Sequence, residues 1–140
     1  MSVHQATIEL DFAVPPARLW EAITDHEGMT KWAGAPVRLI ARGDADGVGA
    51  VRRVRMGALS IDEEVVYADA PRRLVYRIVR GMPVSFHRGE MLVLPTEKGS
   101  RLTWKILLAS DVPGFARLTA RTLERALGRG LRELRGLIGG

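Results

Sequence analysis

The stretch 111–138 limits the folds open to this chain more than any other. On a helical wheel of about 100° per residue, Val112, Phe115, Ala116, Thr119, Leu123, Ala126, Leu127, Leu134 and Leu137 gather on one side. Arg117, Arg121, Arg125, Arg129, Arg132 and Arg135 gather on the other. A helix divided in this way has one face to bury. Asp111 is placed to cap its start and Pro113 to occupy the first turn, where a missing N–H costs nothing; Gly139 and Gly140 close it. Gly128, Gly130 and Gly136 interrupt it, each costing about 1 kcal/mol relative to alanine. Gly130 falls on the apolar side, so the C-terminal half is expected to be the looser wall against whatever the helix covers. Almost everything upstream reads as strand, and the apolar face must therefore lie on a sheet.

Residues 4–12 alternate, with His4, Ala6, Ile8, Leu10 and Phe12 on the inward side of a half-buried strand. Val14-Pro15-Pro16 ends that strand and starts a short helix with Leu19, Trp20 and Ile23 on one face. A second helical turn, 29–32, stops at Gly34 and Pro36. Six strands follow, at 37–42, 50–56, 59–67, 74–80, 85–94 and 101–109, separated by turn chemistry. Short connections imply antiparallel pairing, and helices segregated from strands make the class α+β. A sheet of about seven strands twists and coils. Wrapped around one long C-terminal helix, it leaves a cavity between the helix and its concave face. Residues 1–140 are expected to form one domain.

Composition excludes several functions. There is no cysteine, hence no disulfide, thiolate metal site or Cys nucleophile. His4, His26 and His87 lie in separate elements with no ligand spacing, so no metal is expected. The segment 43–49 is acidic, the opposite of a phosphate cradle, and no cofactor is implied. The N-terminus lacks the cationic and apolar regions of a secretory signal, and no apolar run approaches the roughly 20 residues of a membrane span. A cytoplasmic protein, monomeric or homodimeric, is expected. The net charge is +5, carried almost wholly by Arg, which raises nucleic acid or anionic lipid as partners. The arginines are spread over strands and helix with no aromatic-interleaved basic motif. A solvated surface is thus the main reading, and nucleic acid a minor one.

Several segments together resemble the START-related helix-grip (SRPBCC) superfamily, in particular its bacterial polyketide cyclase/dehydrase-like branch. They are Val14-Pro-Pro-Ala-Arg-Leu-Trp20 with Asp25 and Trp32, Gly47-Val-Gly-Ala-Val-Arg52, Glu63-Glu-Val-Val66, Ala70-Pro-Arg-Arg-Leu-Val-Tyr76, and Gly99-Ser-Arg-Leu-Thr-Trp104. The resemblance spans nearly the whole chain and rests on the order and spacing of these segments. It implies a helix-grip fold whose cavity holds a small, mainly hydrophobic molecule; an acidic, polyketide-like or lipid ligand is expected. It does not choose between a carrier, an enzyme (cyclase, dehydratase or isomerase) and an interaction module.

Hairpin register proposes the polar residues of that cavity. If Gly57-Ala58 is a two-residue turn, Met56 pairs with Leu59, Val54 with Ile61, Arg52 with Glu63 and Ala50 with Val65. Arg52 and Glu63 then face inward, and Arg53, Arg55, Asp62 and Glu64 outward. Inside a cavity Arg52 is a fixed cation suited to a carboxylate or enolate oxygen, oriented by Glu63; the pair reads equally well as a salt bridge at the edge of the core. Tyr76 shares a face with Leu74 and Ile78, and a Gly81-Met82 turn sets it opposite His87. His87 is the only centrally placed histidine and so the candidate for proton transfer, although most lone histidines are hydrogen-bonded structural groups. Trp104 alternates with Leu102, Ile106 and Leu108, which makes it core first and ligand platform second; Trp20 reads as core and Trp32 as rim. The expected ligand-binding set is Arg52, Glu63, Tyr76, His87 and Trp104. The Arg face of the last helix is the alternative site, for a protein or lipid partner.

Overall fold

Strands that alternate in sequence alternate in burial. In the computed structural model, which describes residues 2–139, β1 (His4–Phe12) buries Ala6, Ile8 and Phe12, half-buries His4 and Leu10, and exposes Gln5, Thr7, Glu9 and Asp11. Gly140, read above as part of the helix stop, lies outside the described residues. The chain continues through α1 (Pro16–Thr24), a 3-10 turn (Glu27–Lys31), β2 (Val37–Ala41), β3 (Val51–Met56), β4 (Leu59–Asp69), β5 (Arg73–Arg80), β6 (Phe86–Thr96), β7 (Gly99–Ala109) and α2 (Phe115–Ile138). The strands form one antiparallel sheet in the order β1-β7-β6-β5-β4-β3-β2. Only the β1–β7 pairing joins strands distant in sequence. This is the expected α+β arrangement, a curved sheet closed over by its long C-terminal helix.

Both sheet edges are covered by side chains, which blunts them against pairing with another chain. At β1, Thr7 N–H donates to Glu124 Oε2 at 3.1 Å, and Arg135 Nη1 reaches the Asp11 carbonyl at 3.5 Å. Both partners come from α2. At β2, the Thr30 hydroxyl accepts from Val37 N–H and donates to Val37 O, at 2.9 and 3.1 Å. Leu39 N–H donates to Glu27 Oε2 at 3.1 Å.

Four of the arginines lie in cross-strand ion pairs on the outer face: Arg53–Asp62, Arg77–Glu64, Arg73–Glu90 and Arg101–Asp11. Asp62 is oriented as expected but is buried, because Arg53 grips it with two hydrogen bonds of 2.8 and 3.1 Å.

Helix α2 departs from the wheel in three ways. It begins at Phe115 behind Gly114, whose φ of 75° is left-handed; Asp111 caps nothing, and Ser110 Oγ takes the Val112 N–H instead. Val112 and Leu137 are about half exposed, at 47% and 53%, while Ala120 and Leu131 are buried beyond the edge of the predicted stripe. The buried arc is displaced because α2 packs mainly along β1.

The third departure concerns looseness. A Cβ at Gly130 would lie 2.7 Å from the Trp32 carbonyl oxygen, so the glycine permits close packing and opens no gap. Trp32 is accordingly buried and Trp20 half-buried, the reverse of the expectation. The cavity wall is formed by Thr119, Leu123, Ala126 and Leu127, in the first half of the helix. The C-terminal half, with Leu131 and Leu134 buried, is the tighter one.

A Cβ at Gly136 would meet nothing within 4 Å. Gly136→Ala is therefore expected to stabilise the protein by up to about 1 kcal/mol through helix propensity. Gly130→Ala should destabilise it by about 1–3 kcal/mol through overpacking. Urea midpoints check both, and shifts of the same sign would contradict the close contact.

Candidate functional site

The β3–β4 hairpin turns at Gly57, whose φ is 60°, and its register is the expected one: Met56↔Leu59, Val54↔Ile61, Arg52↔Glu63. Beyond the ladder, Val65 N–H donates to Ala50 O at 2.9 Å, continuing the same register. The turn leaves no slack, and a one-residue slip would carry every side chain to the other face. Arg52 is 2% exposed. Its Nε donates to Glu63 Oε1 at 2.8 Å, its Nη1 meets Met29 Sδ at 2.8 Å, and His26 Nδ1 lies 3.5 Å from that same nitrogen. The guanidinium carbon sits 4.8 Å from the centroid of the Tyr76 ring, a cation–π contact. A buried charge needs such a set of partners to persist.

The β5–β6 connection differs from the expectation. In place of a two-residue turn there is a five-residue loop, 81–85, in which Gly81 packs against the Ser60 carbonyl and Ser85 N–H donates to Ala109 O at 2.9 Å. Tyr76 consequently opposes Gly89, two residues from His87. A slip of two preserves the face, and both Tyr76 and His87 still point inward. The Tyr76 ring covers Gly89 so closely that a Cβ there would fall within it. Its hydroxyl accepts the Trp104 Nε1 hydrogen at 2.9 Å, and burial raises its pKa, so the phenol stays protonated. Trp104 is buried and meets Trp32 edge to face, with centroids 6.3 Å apart.

His87 takes the place of a ladder carbonyl. The pairing ends at Tyr76↔Gly89, and the next free donor, Ile78 N–H, is accepted by His87 Nδ1 at 3.1 Å. With Nδ1 an acceptor, the neutral ring carries its hydrogen on Nε2. Burial lowers the His87 pKa; Glu63 opposes that shift and Arg52 adds to it.

These elements enclose a cavity of about 300 Å³. Its walls are chiefly apolar, including Val54, Ile61, Ile106 and Leu123. Arg52, Glu63, Tyr76, His87 and Trp104, the five residues expected from sequence, all line it. The Met56–Gly57 turn, Met82 and residues 33–35 also border it. Among the described residues no group of three or more His, Asp or Glu side chains could hold a metal ion, and no helix is long and apolar enough to cross a membrane.

His26 and Met29 were not singled out from sequence. His26 caps and Met29 lies within the short 3-10 turn after α1, too brief for periodicity to mark a side chain as inward, and both meet Arg52 across more than 20 positions. Burial, with Arg52 adding to it, lowers the His26 pKa to about 4. In the unfolded chain the same group titrates near 6.5. Between these values the unfolded chain binds a proton that the folded one refuses, so this histidine makes stability fall as pH drops through the window. Urea midpoints at about pH 7 and about pH 4.5 should differ less in His26→Gln than in the wild type. An unchanged difference would contradict the burial.

The profile of a family described as polyketide cyclase/dehydrase and lipid transport matches residues 3–139. No curated protein is significantly similar in sequence. Solved structures share the fold. A protein from Thermus thermophilus superposes with a TM-score of 0.78 at 20% identity, covering 96% of this chain and 97% of its own. A START superfamily protein from Mycobacterium smegmatis gives 0.77 at 14% identity, covering 97% and 96%. A protein from Thermobifida fusca gives 0.69 at 25% identity, covering 99% and 94%.

Proposed function

This chain belongs to the polyketide cyclase/dehydrase and lipid transport family, and on that footing we propose that it binds a small, mainly hydrophobic molecule between sheet and helix. The observation that carries this reading is the cavity itself: apolar walls interrupted by one polar cluster centred on Arg52 and Glu63. A few convergent polar groups in an apolar pocket fix a ligand's orientation. The Arg52–Glu63 pair is neutral as a whole, and this favours a neutral polar group on the ligand over a full carboxylate.

Binding is favoured over turnover by the state of His87. A general base needs a free nitrogen lone pair facing its substrate. For His87 to offer one at Nε2, its hydrogen would have to move to Nδ1, where it would face the Ile78 N–H. A cyclase or dehydratase using His87 with Arg52 and Tyr76 is thus the secondary reading. Native mass spectrometry of the purified protein, followed by a screen of apolar ketones, phenols and acids, tests the primary one. Arg52→Met is expected to weaken binding by about tenfold, the loss of one charge-assisted contact. Turnover by the wild type that His87→Ala abolishes, with binding retained, would establish the enzyme instead.

The Arg face of α2 supports one further surface. Arg117, Arg121, Arg125, Arg129 and Arg132 are exposed, and none forms an ion pair among the described residues; Leu118 stands out between them, 67% exposed. Weak binding to vesicles rich in anionic lipid is expected at low salt, fading near about 0.15 M. A complex that survives such salt would promote this face to the main site.

A further inference from the structure

Two hydrogen-bond donors in the cavity wall have no acceptor among the described residues. Tyr76 Oη accepts from Trp104 Nε1 at 2.9 Å, and the phenol's own hydrogen finds no partner among the described residues. His87 Nδ1 accepts from Ile78 at 3.1 Å, which leaves the Nε2 hydrogen equally unclaimed. The two rings lie 5.6 Å apart between centroids, tilted by 46°, and both border the same cavity. Over the Tyr76 ring, 4.8 Å from its centroid, the Arg52 guanidinium draws electron density from the phenol and makes it a stronger donor.

We infer that Tyr76 Oη–H and His87 Nε2–H together receive one oxygen atom of the ligand, which is an apolar molecule bearing a ketone carbonyl or a phenolic oxygen. This rests on the binding reading above and narrows its ligand class. The physical reason is asymmetry. A buried donor left unpaired costs its full desolvation, so a site built this way rejects an analogue lacking the oxygen more strongly than it rewards one that has it. Glu63 lies in the same wall, and its charge disfavours a ligand carboxylate in that position. A single neutral or softly anionic oxygen meets both conditions.

The test uses acetylnaphthalene and ethylnaphthalene, which match in shape apart from one oxygen, with naphthol and naphthalene as a second pair. Affinities are measured by fluorescence titration for the wild type, Tyr76→Phe and His87→Phe. In each variant the ketone-to-hydrocarbon affinity ratio is expected to fall about tenfold below the wild-type ratio, with hydrocarbon affinity changed by less than about threefold. A fall in the ketone ratio assigns a carbonyl ligand and a fall in the naphthol ratio a phenolic one; either supports the donor pair. Infrared spectroscopy of acetylnaphthalene bound to the wild-type protein gives a readout independent of any variant. Its carbonyl stretch should lie below the value in an aprotic solvent, and an unshifted stretch would overturn a carbonyl at the pair. If the hydrocarbons bind and neither ratio moves, the donor pair is wrong and the cavity reading stands. If no member of either pair binds, both fall.

Discussion

Leu131→Asp is expected to abolish cooperative unfolding, whereas Arg125→Asp should leave the transition within about 0.5 kcal/mol of the wild type. Leu131 has no solvent exposure and lies in the hydrophobic core. A carboxylate there has neither water nor a cationic partner, and such burial costs several kcal/mol. That is comparable with the whole stability of a small protein. Arg125 is exposed and makes no ion pair among the described residues, so reversing its charge loses little. Leu123→Asp is the informative third variant. The helical wheel puts Leu123 at the centre of the buried stripe, but the fold sets it half-buried on the cavity. Its carboxylate can be hydrated, and its effect should fall between the other two. Thermal and urea unfolding followed by circular dichroism ranks the three. A larger effect at Leu123 than at Leu131 would contradict the placement of the helix along β1.

Glu63→Leu is expected to destabilise the protein by about 3–5 kcal/mol, because it strands a buried guanidinium. Arg52 is 2% exposed and keeps only a thioether, a nearby imidazole and the Tyr76 ring once the carboxylate is gone. Adding Arg52→Met should return most of that loss, since a buried ion pair is often replaceable by apolar groups of similar volume. The double-mutant cycle isolates the coupling between the two side chains. A double variant no more stable than Glu63→Leu alone would mean that the instability comes from packing around residue 63. The same variants bear on function. A double variant that folds well but discriminates poorly among ligands would show the pair to be kept for recognition at no gain in stability.

How much of this was legible beforehand depended on whether the controlling interaction was local. The β3–β4 register could be read because Gly57 and Ala58 form a turn with no spare residues. Arg52 and Glu63, placed opposite each other by that turn, were therefore identified as an inward pair from sequence. The β5–β6 register could not be read. The length of its connection depends on Gly81 docking against Ser60 and Ser85 against Ala109, contacts with strands distant in sequence. The inward faces of Tyr76 and His87 survived the error because strand side chains repeat every two residues and the slip was two. Their partners did not survive it, and so the acceptor role of His87 Nδ1 could not be foreseen.

By itself the sequence determined the class of fold, the order of its elements, the two-faced character of α2 and the inward direction of five cavity residues. Each of these follows from backbone periodicity or from a turn with one workable geometry, and both act over a few residues. Only the tertiary structure decided which arc of α2 is buried, that Gly130 seats the Trp32 carbonyl, that His26 and Met29 attend Arg52, and which donors in the cavity are left without acceptors among the described residues. Those outcomes depend on packing between segments far apart in the chain, where one side chain's environment is set by backbone it does not adjoin.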